Sequence, residues 1–367
     1  MATSRPRILL LASDFPPNVG GVAALLRSTY SAIPRGTVTV VAPSRERPYT
    51  VEGFKIVTYP ARQSWRRREV LTLGRVALRA ALRERPDRVH CGSLAETGIV
   101  GLGLKLLLRI PLLVHVHGTE LWAHRAGPVA QVVRQVLRRA DRVVAPSEFT
   151  RSRVLAMGVH PTRCEVVLPP VDVRRFPLSD SPIEPRMVVS VGRLVDYKGH
   201  DVVLRAIALA RRTLPDIEYV IVGDGPSRAS LESLAAELDL AGCVRFAGRV
   251  GDVRPYLRDC AVFVLPSRTT RTPYQVEGFG IAFAEASASG RPVIGGRSGG
   301  VPEAVQEGVT GFLVDPKDPV EVARRIVQLL EDPDLAARLG RQGRDWVART
   351  LDPARAGERI LATPDGP

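Results

Sequence analysis

Cysteine is scarce in these 367 residues, with only Cys91, Cys164, Cys243 and Cys260. None forms a C-x-x-C pair or has a histidine at ligand spacing, so no zinc site is indicated. Free thiols in a reducing compartment are expected. Lysine is equally sparse, at 55, 105, 198 and 317 only, although lysine and arginine together number 52 and the formal net charge is +14. Such a charge fits an anionic ligand or an acidic membrane surface. The arginine bias fits GC-rich coding as well as it fits ligand selection, and no nucleic-acid-binding module can be picked out, so no nucleic-acid partner is expected.

Long apolar runs are missing too. The stretch 99–116 is broken by Lys105, Arg109 and Pro111 and reads as a buried helix followed by a strand, not a membrane span. Near the N-terminus only residues 8–12 are continuously apolar before Ser13 and Asp14. That is too short for a secretory signal, and a cytoplasmic protein is the expectation.

What is present is a soluble globular composition, 45% hydrophobic and 25% charged, in a chain too long for one typical core. Short apolar runs at 8–12, 38–42, 55–59, 89–91, 111–116, 142–146 and 165–168 read as strands with helices between them. The alternation restarts at 187–191 and continues through 219–222, 244–247, 262–265, 292–294 and 311–314. Two doubly wound α/β domains follow, 1–175 and 176–350, with a linker over 176–185 and a tail, 351–367, lying against the first domain.

The second half carries the densest pattern, VEGFGIAFAEASASGRPVIGGRSGGVPE over 276–303. Glu277 and Glu285 stand seven intervening residues apart. Alone, they would make an ordinary helix with two solvated glutamates. Here Gly278 and Gly280 flank Phe279 just ahead of the helical run 281–289, a short strand follows, and Gly299-Gly300 opens another helix with Pro302 in its first turn. Glycines at helix starts let a ligand approach bare backbone N–H groups. Glu277 at the helix mouth and Glu285 deeper inside could hold different parts of one extended ligand. Earlier in this half, Arg193 and Lys198 share a strand-end loop before the helix 202–212. Two cations so placed can neutralise a diphosphate leaving group.

This segment resembles the E-x7-E signature of the retaining glycosyltransferases of family 4, which have the GT-B fold of two Rossmann-like domains facing an interdomain cleft. Its arginine-containing approach, PSRTTRTPYQ over 266–275, is similar to that of phosphatidylinositol mannosyltransferases. The resemblance implies that Glu277 and the amides of Phe279, Gly280 and Ile281 hold the donor sugar, and that Glu285 holds the ribose hydroxyls. It implies Arg193 and Lys198 at the donor diphosphate and the backbone at Val250 around the base. Gly20 and Gly21, in a loop between the first strand and its helix, are implied beside the diphosphate and acceptor. His117, at the carboxyl end of the strand 111–116, is implied at the transferred sugar, and Asp14 at the acceptor. His115 alternates to the opposite face and reads as packing.

The implied reaction moves a hexosyl unit from a nucleoside diphosphate sugar, GDP-mannose first and UDP-sugars next, to an acceptor hydroxyl with retention. No D-x-D motif precedes the site, which implies metal independence and no cofactor. The acceptor is a lipid, a glycan or a small metabolite. A nucleotide-sugar epimerase or hydrolase of the same fold, or a silent nucleotide-sugar-binding subunit, are the competing readings. A nicotinamide enzyme fails because Gly223-Asp224-Gly225 is followed by Arg228 where a third glycine belongs. The chain departs from its relatives at Pro169-Pro170, where an Asn-Gly commonly precedes the Val-Asp. The stretch 62–85 reads as a basic amphipathic helix. One face on the core is the simpler reading, and peripheral docking on anionic lipid is the other.

Overall fold

The computed structural model describes residues 6–18, 20–44, 49–60, 67–118, 120–123, 128–178, 186–271 and 274–362. The expected linker lies largely outside them. The chain divides into two compact units, 1–170 with 353–367, and 171–352. The first boundary falls five residues before the expected 175. Residues 171–176 go with the second unit because the Arg344 guanidinium donates to the carbonyls of Phe176 and Val173, at 2.6 and 3.3 Å, and the Val171 amide bonds the Leu351 carbonyl.

Seven parallel strands form the first unit's sheet: β1 (Ile8–Leu11), β2 (Val38–Ser44), β3 (Lys55–Pro60), β4 (Arg88–Cys91), β5 (Leu112–His115), β6 (Arg142–Ala145) and β7 (Cys164–Val166). Their spatial order is β3-β2-β1-β4-β5-β6-β7. β1 shows why the strands are so apolar. Leu9 and Leu11 feed one core beside Val89 and Val114, whereas Ile8 and Leu10 feed another beside Tyr30 and Val40. A parallel strand covered on both faces needs apolar residues at every position.

The expected helix 62–85 is observed as Arg67–Glu84; residues 61–66 lie outside the described ones. Leu73, Ala77, Ala80 and Ala81 turn to the core, while Leu71, Arg75, Arg79, Leu82 and Arg83 are exposed. The expected tail contains a helix, Pro353–Leu361, that buries Ala356, Gly357 and Ile360 within the first unit. Arg142, at the start of β6, donates to the carbonyls of Ile360, Arg359 and Ala362, and Arg88 to that of Leu361. These are terminal carbonyls that no helical N–H reaches.

The second unit repeats the plan with β8 (Met187–Val191), β9 (Glu218–Val222), β10 (Val244–Gly248), β11 (Val262–Leu265), β14 (Val293–Gly296) and β15 (Gly311–Val314). A two-stranded hairpin, β12 (Thr270–Arg271) and β13 (Tyr274–Gln275), intervenes where a loop is expected. The sheet order is β10-β9-β8-β11-β14-β15, all parallel. Both units thus have the doubly wound 3-2-1-4-5-6 order within them, with the order reversing beside β1 and beside β8. Ligands of such sheets bind at the carboxyl ends near that reversal.

Candidate active site

In the second unit the chain passes these carboxyl ends several times. The turn after β8 carries Arg193 and Lys198; Glu277 lies between the hairpin and the helix Ile281–Ala288. The Lys198 ammonium and the Glu277 carboxylate form an ion pair, with side chains 13% and 14% exposed. Burial disfavours the ammonium, but Glu277, by charge and hydrogen bond, and Tyr197 outweigh it and hold the Lys198 pKa above the usual lysine value. Arg193 is exposed and enters no ion pair with a described residue. One paired cation and one exposed cation thus share the turn after β8.

Glu285 lies in different surroundings. Burial pushes its carboxyl up to about 7, Arg175 opposes that shift, and Asp252 adds to it. The helix between the glutamates starts at Gly280, whose φ is +99°, and no side chain caps it. The amides of Phe279, Gly280 and Ile281 have no hydrogen-bond partner among the described residues. Phe279 is itself 2% exposed, so its ring anchors the loop. Unpaired N–H groups at a helix start, beside a carboxylate, suit a ligand rich in hydroxyls and negative charge.

The second glycine pair behaves differently from the expectation. The Gly300 amide donates to the Glu277 carbonyl at 2.9 Å, and a Cβ on Gly300 would lie 2.1 Å from the Gly278 carbonyl oxygen. These glycines make room for the Glu277 loop, which packs against both of them. Val250 follows β10 and is partly buried.

In the first unit, His117 lies two residues past β5. Its Nε2 donates to the Gly92 carbonyl at 2.7 Å, and its amide bonds the Glu120 carboxylate. A carbonyl can only accept, so Nε2 carries a proton and Nδ1 is the nitrogen left for a ligand. Gly20 precedes the helix Gly21–Ser31, and a Cβ there would lie 3.2 Å from Asp14 Oδ2, which places Asp14 beside this loop. His115 belongs to a buried network in which Tyr30 Oη lies 2.8 Å from both His115 Nε2 and His90 Nδ1. Burial, His117 and Arg142 push the His115 pKa down to about 3, so the ring stays neutral and structural.

Several groups around these residues escape sequence reasoning: Tyr197 beside Lys198, Arg175 beside Glu285, and Gly92 and Glu120 around His117. Only their pairing in space marks them. Among the described residues no cluster of His, Cys, Asp or Glu could hold a metal ion, and no helix is long and apolar enough to cross a membrane.

Two parallel-sheet Rossmann-like units, with cations, a carboxylate and bare amides at the sheet ends of the second, define a glycosyltransferase of the GT-B fold. The family model described as Glycosyltransferase Family 4 matches residues 19–175, and that for Glycosyl transferases group 1 matches residues 176–346. The chain is 33% identical over 371 aligned residues to a GDP-mannose-dependent alpha-(1-6)-phosphatidylinositol monomannoside mannosyltransferase of Mycobacterium tuberculosis, covering 93% of each chain. It is 34% identical over 237 residues to a D-inositol 3-phosphate glycosyltransferase of Streptomyces scabiei, covering 58% of this chain and 52% of that one. Among solved structures, Anabaena HepE in complex with UDP and glucose superposes with a TM-score of 0.82 at 21% identity, covering 97% of this chain and 98% of that one. The chain belongs to this glycosyltransferase family and is a hexosyltransferase.

Proposed function

We propose that the chain transfers a mannosyl unit, with retention, from GDP-mannose to a hydroxyl of a lipid-linked inositol glycan. The observation that carries the reading is the grouping of Lys198, Glu277 and the unpaired amides of Phe279, Gly280 and Ile281 in one unit. The mannosyltransferase of Mycobacterium tuberculosis, similar over nearly its whole length, favours GDP-mannose over UDP-sugars.

In this reading Arg193 and Lys198 of the second unit bind the donor diphosphate, and Gly20 and Gly21 of the first unit offer backbone amides to a ligand. Glu277 and the amides of residues 279–281 hold the sugar, Glu285 the ribose hydroxyls, and Val250 the base. His117 meets the transferred sugar through Nδ1, and Asp14 meets the acceptor. The bond from the anomeric carbon to the phosphate oxygen breaks as the acceptor oxygen bonds the same face. The leaving phosphate takes the acceptor proton, and the cations stabilise its charge. No metal or cofactor takes part. An anionic membrane surface fits the first unit, where the helices Arg67–Glu84, Glu96–Leu108 and Pro128–Arg139 pack side by side. They expose Leu71, Leu82, Leu106, Leu107, Val129 and Val132 among arginines, which suits peripheral attachment on the cytoplasmic side.

The test supplies GDP-mannose or UDP-glucose with vesicles containing phosphatidylinositol mannoside, with inositol phosphate, or with no acceptor, and assigns the product linkage by NMR. An α-mannosylated lipid made from GDP-mannose is expected. An inverted linkage, or sugar release or epimerisation without acceptor, contradicts the proposal.

A further inference from the structure

The PSRTTRTPYQ stretch places Arg268 against the Lys198 turn. We infer that Arg268 is a positioning residue for donor binding, acting through Lys198; the inference rests on Lys198 being the diphosphate ligand proposed above.

Arg268 is 67 positions from Asp201 and 72 from Asp196, yet its guanidinium meets both. Nη1 donates to the two Asp201 carboxylate oxygens at 3.0 and 3.1 Å, and Nη2 donates to Asp196. The Arg268 side chain is only 12% exposed. Its backbone amide donates to the Tyr197 carbonyl at 2.7 Å. One residue therefore ties down positions 196, 197 and 201, which bracket Lys198. The turn is pressed close as well: Gly199 has φ +78°, and a Cβ there would lie 2.4 Å from the Pro266 carbonyl oxygen. Among the described residues Arg268 makes no hydrogen bond or ion pair with those assigned to the donor, so the effect inferred for it passes through the turn.

Two consequences follow. A planar fork that binds two carboxylates fixes direction as well as distance, which an ammonium cannot do. The turn then holds the Lys198 ammonium where a phosphate oxygen arrives. Arg268 also offsets two carboxylates within three positions of that ammonium. Left unpaired, they would repel an incoming diphosphate.

The experiment is a double-mutant cycle on GDP and UDP affinity by calorimetry, using wild type, Arg268→Ala, Lys198→Ala and the combination. Each single variant is expected to weaken binding of the preferred nucleotide by roughly tenfold, and the double variant no further, because the two residues act as one unit. Losses that multiply in the double variant would show that Arg268 merely supports the fold, and wild-type affinity in Arg268→Ala would also overturn the inference. If Lys198→Ala binds as tightly as wild type, the reading of the site fails, and the inference falls with it. The same cycle with Arg268→Lys, which keeps the charge but loses the fork, serves if the alanine variant does not fold.

Discussion

Lys198 and Glu277 are 79 positions apart in sequence and meet as a largely buried ion pair at the sheet ends of the second unit. In this state each neutralises the other. In the proposed reading a diphosphate reaching Lys198 competes with Glu277, which is then freed for the sugar hydroxyls. Glu277→Gln is therefore expected to abolish transfer while leaving GDP affinity unchanged or tighter, whereas Lys198→Ala weakens GDP. Equal loss of affinity in both variants, measured by calorimetry, would contradict this division of roles. The Gln variant should also lose about 1–3 kcal/mol of stability, because it leaves a buried ammonium without its charged partner.

Glu285 gives a pH signature. Its carboxyl sits at about 7 in the folded chain and near the ordinary value when unfolded, so the native state binds the extra proton between those limits. Stability is then highest below the unfolded value, falls as pH rises towards 7, and stays reduced above it. The ionised form costs about 3 kcal/mol. Glu285→Gln should raise the melting temperature at pH 8 relative to wild type and leave little difference at pH 4.5, while impairing transfer. A variant less stable than wild type at pH 8 would contradict the assigned shift.

Gly300→Ala probes the support of the Glu277 loop. With the Gly278 carbonyl in the way, the methyl forces the 277–279 backbone aside, an overpacking cost of about 1–3 kcal/mol. Activity should fall further than stability alone explains, because Glu277 moves with its backbone. Unchanged kcat and KM would show that the loop tolerates the shift.

Arg142→Ala should release the C-terminal helix. The side chain is 11% exposed and serves the carbonyls of Arg359, Ile360 and Ala362 together with the Glu165 carboxylate. Its loss leaves helix-end carbonyls without a donor, about 1–3 kcal/mol. Faster proteolytic cleavage after residue 350, with the rest of the chain intact, is expected; wild-type cleavage rates would contradict the clamp.

Much of this is legible in the sequence because parallel strands covered on both faces are nearly continuously apolar, as 262–265 and 311–314 are and as 187–191 is but for Ser190. Elsewhere the signal was present but weaker. The helix Pro128–Arg139 buries Ala130, Val133, Val136 and Leu137 at helical spacing, yet the exposed Val129 and Val132 blur that face among the Gln and Arg residues. The helix Pro353–Leu361 hides among Pro and Gly, although Pro353 at its first position is a helix-start feature. In the site, Glu277, Glu285, Arg193 and Lys198 stand out because their spacing is local. The Arg268 clamp and the Lys198–Glu277 pair join distant positions, and no local pattern encodes them.

The central claim is that the second unit binds a nucleoside diphosphate through Lys198, without a metal. The most direct measurement is the melting temperature of wild type and Lys198→Ala with GDP and with UDP, each with and without chelator. A ligand that binds only the folded chain raises that temperature by mass action. The expected result is a clear rise with GDP for wild type, insensitive to chelator and reduced in Lys198→Ala. No rise with either nucleotide, a rise that chelator removes, or an undiminished rise in Lys198→Ala would contradict it.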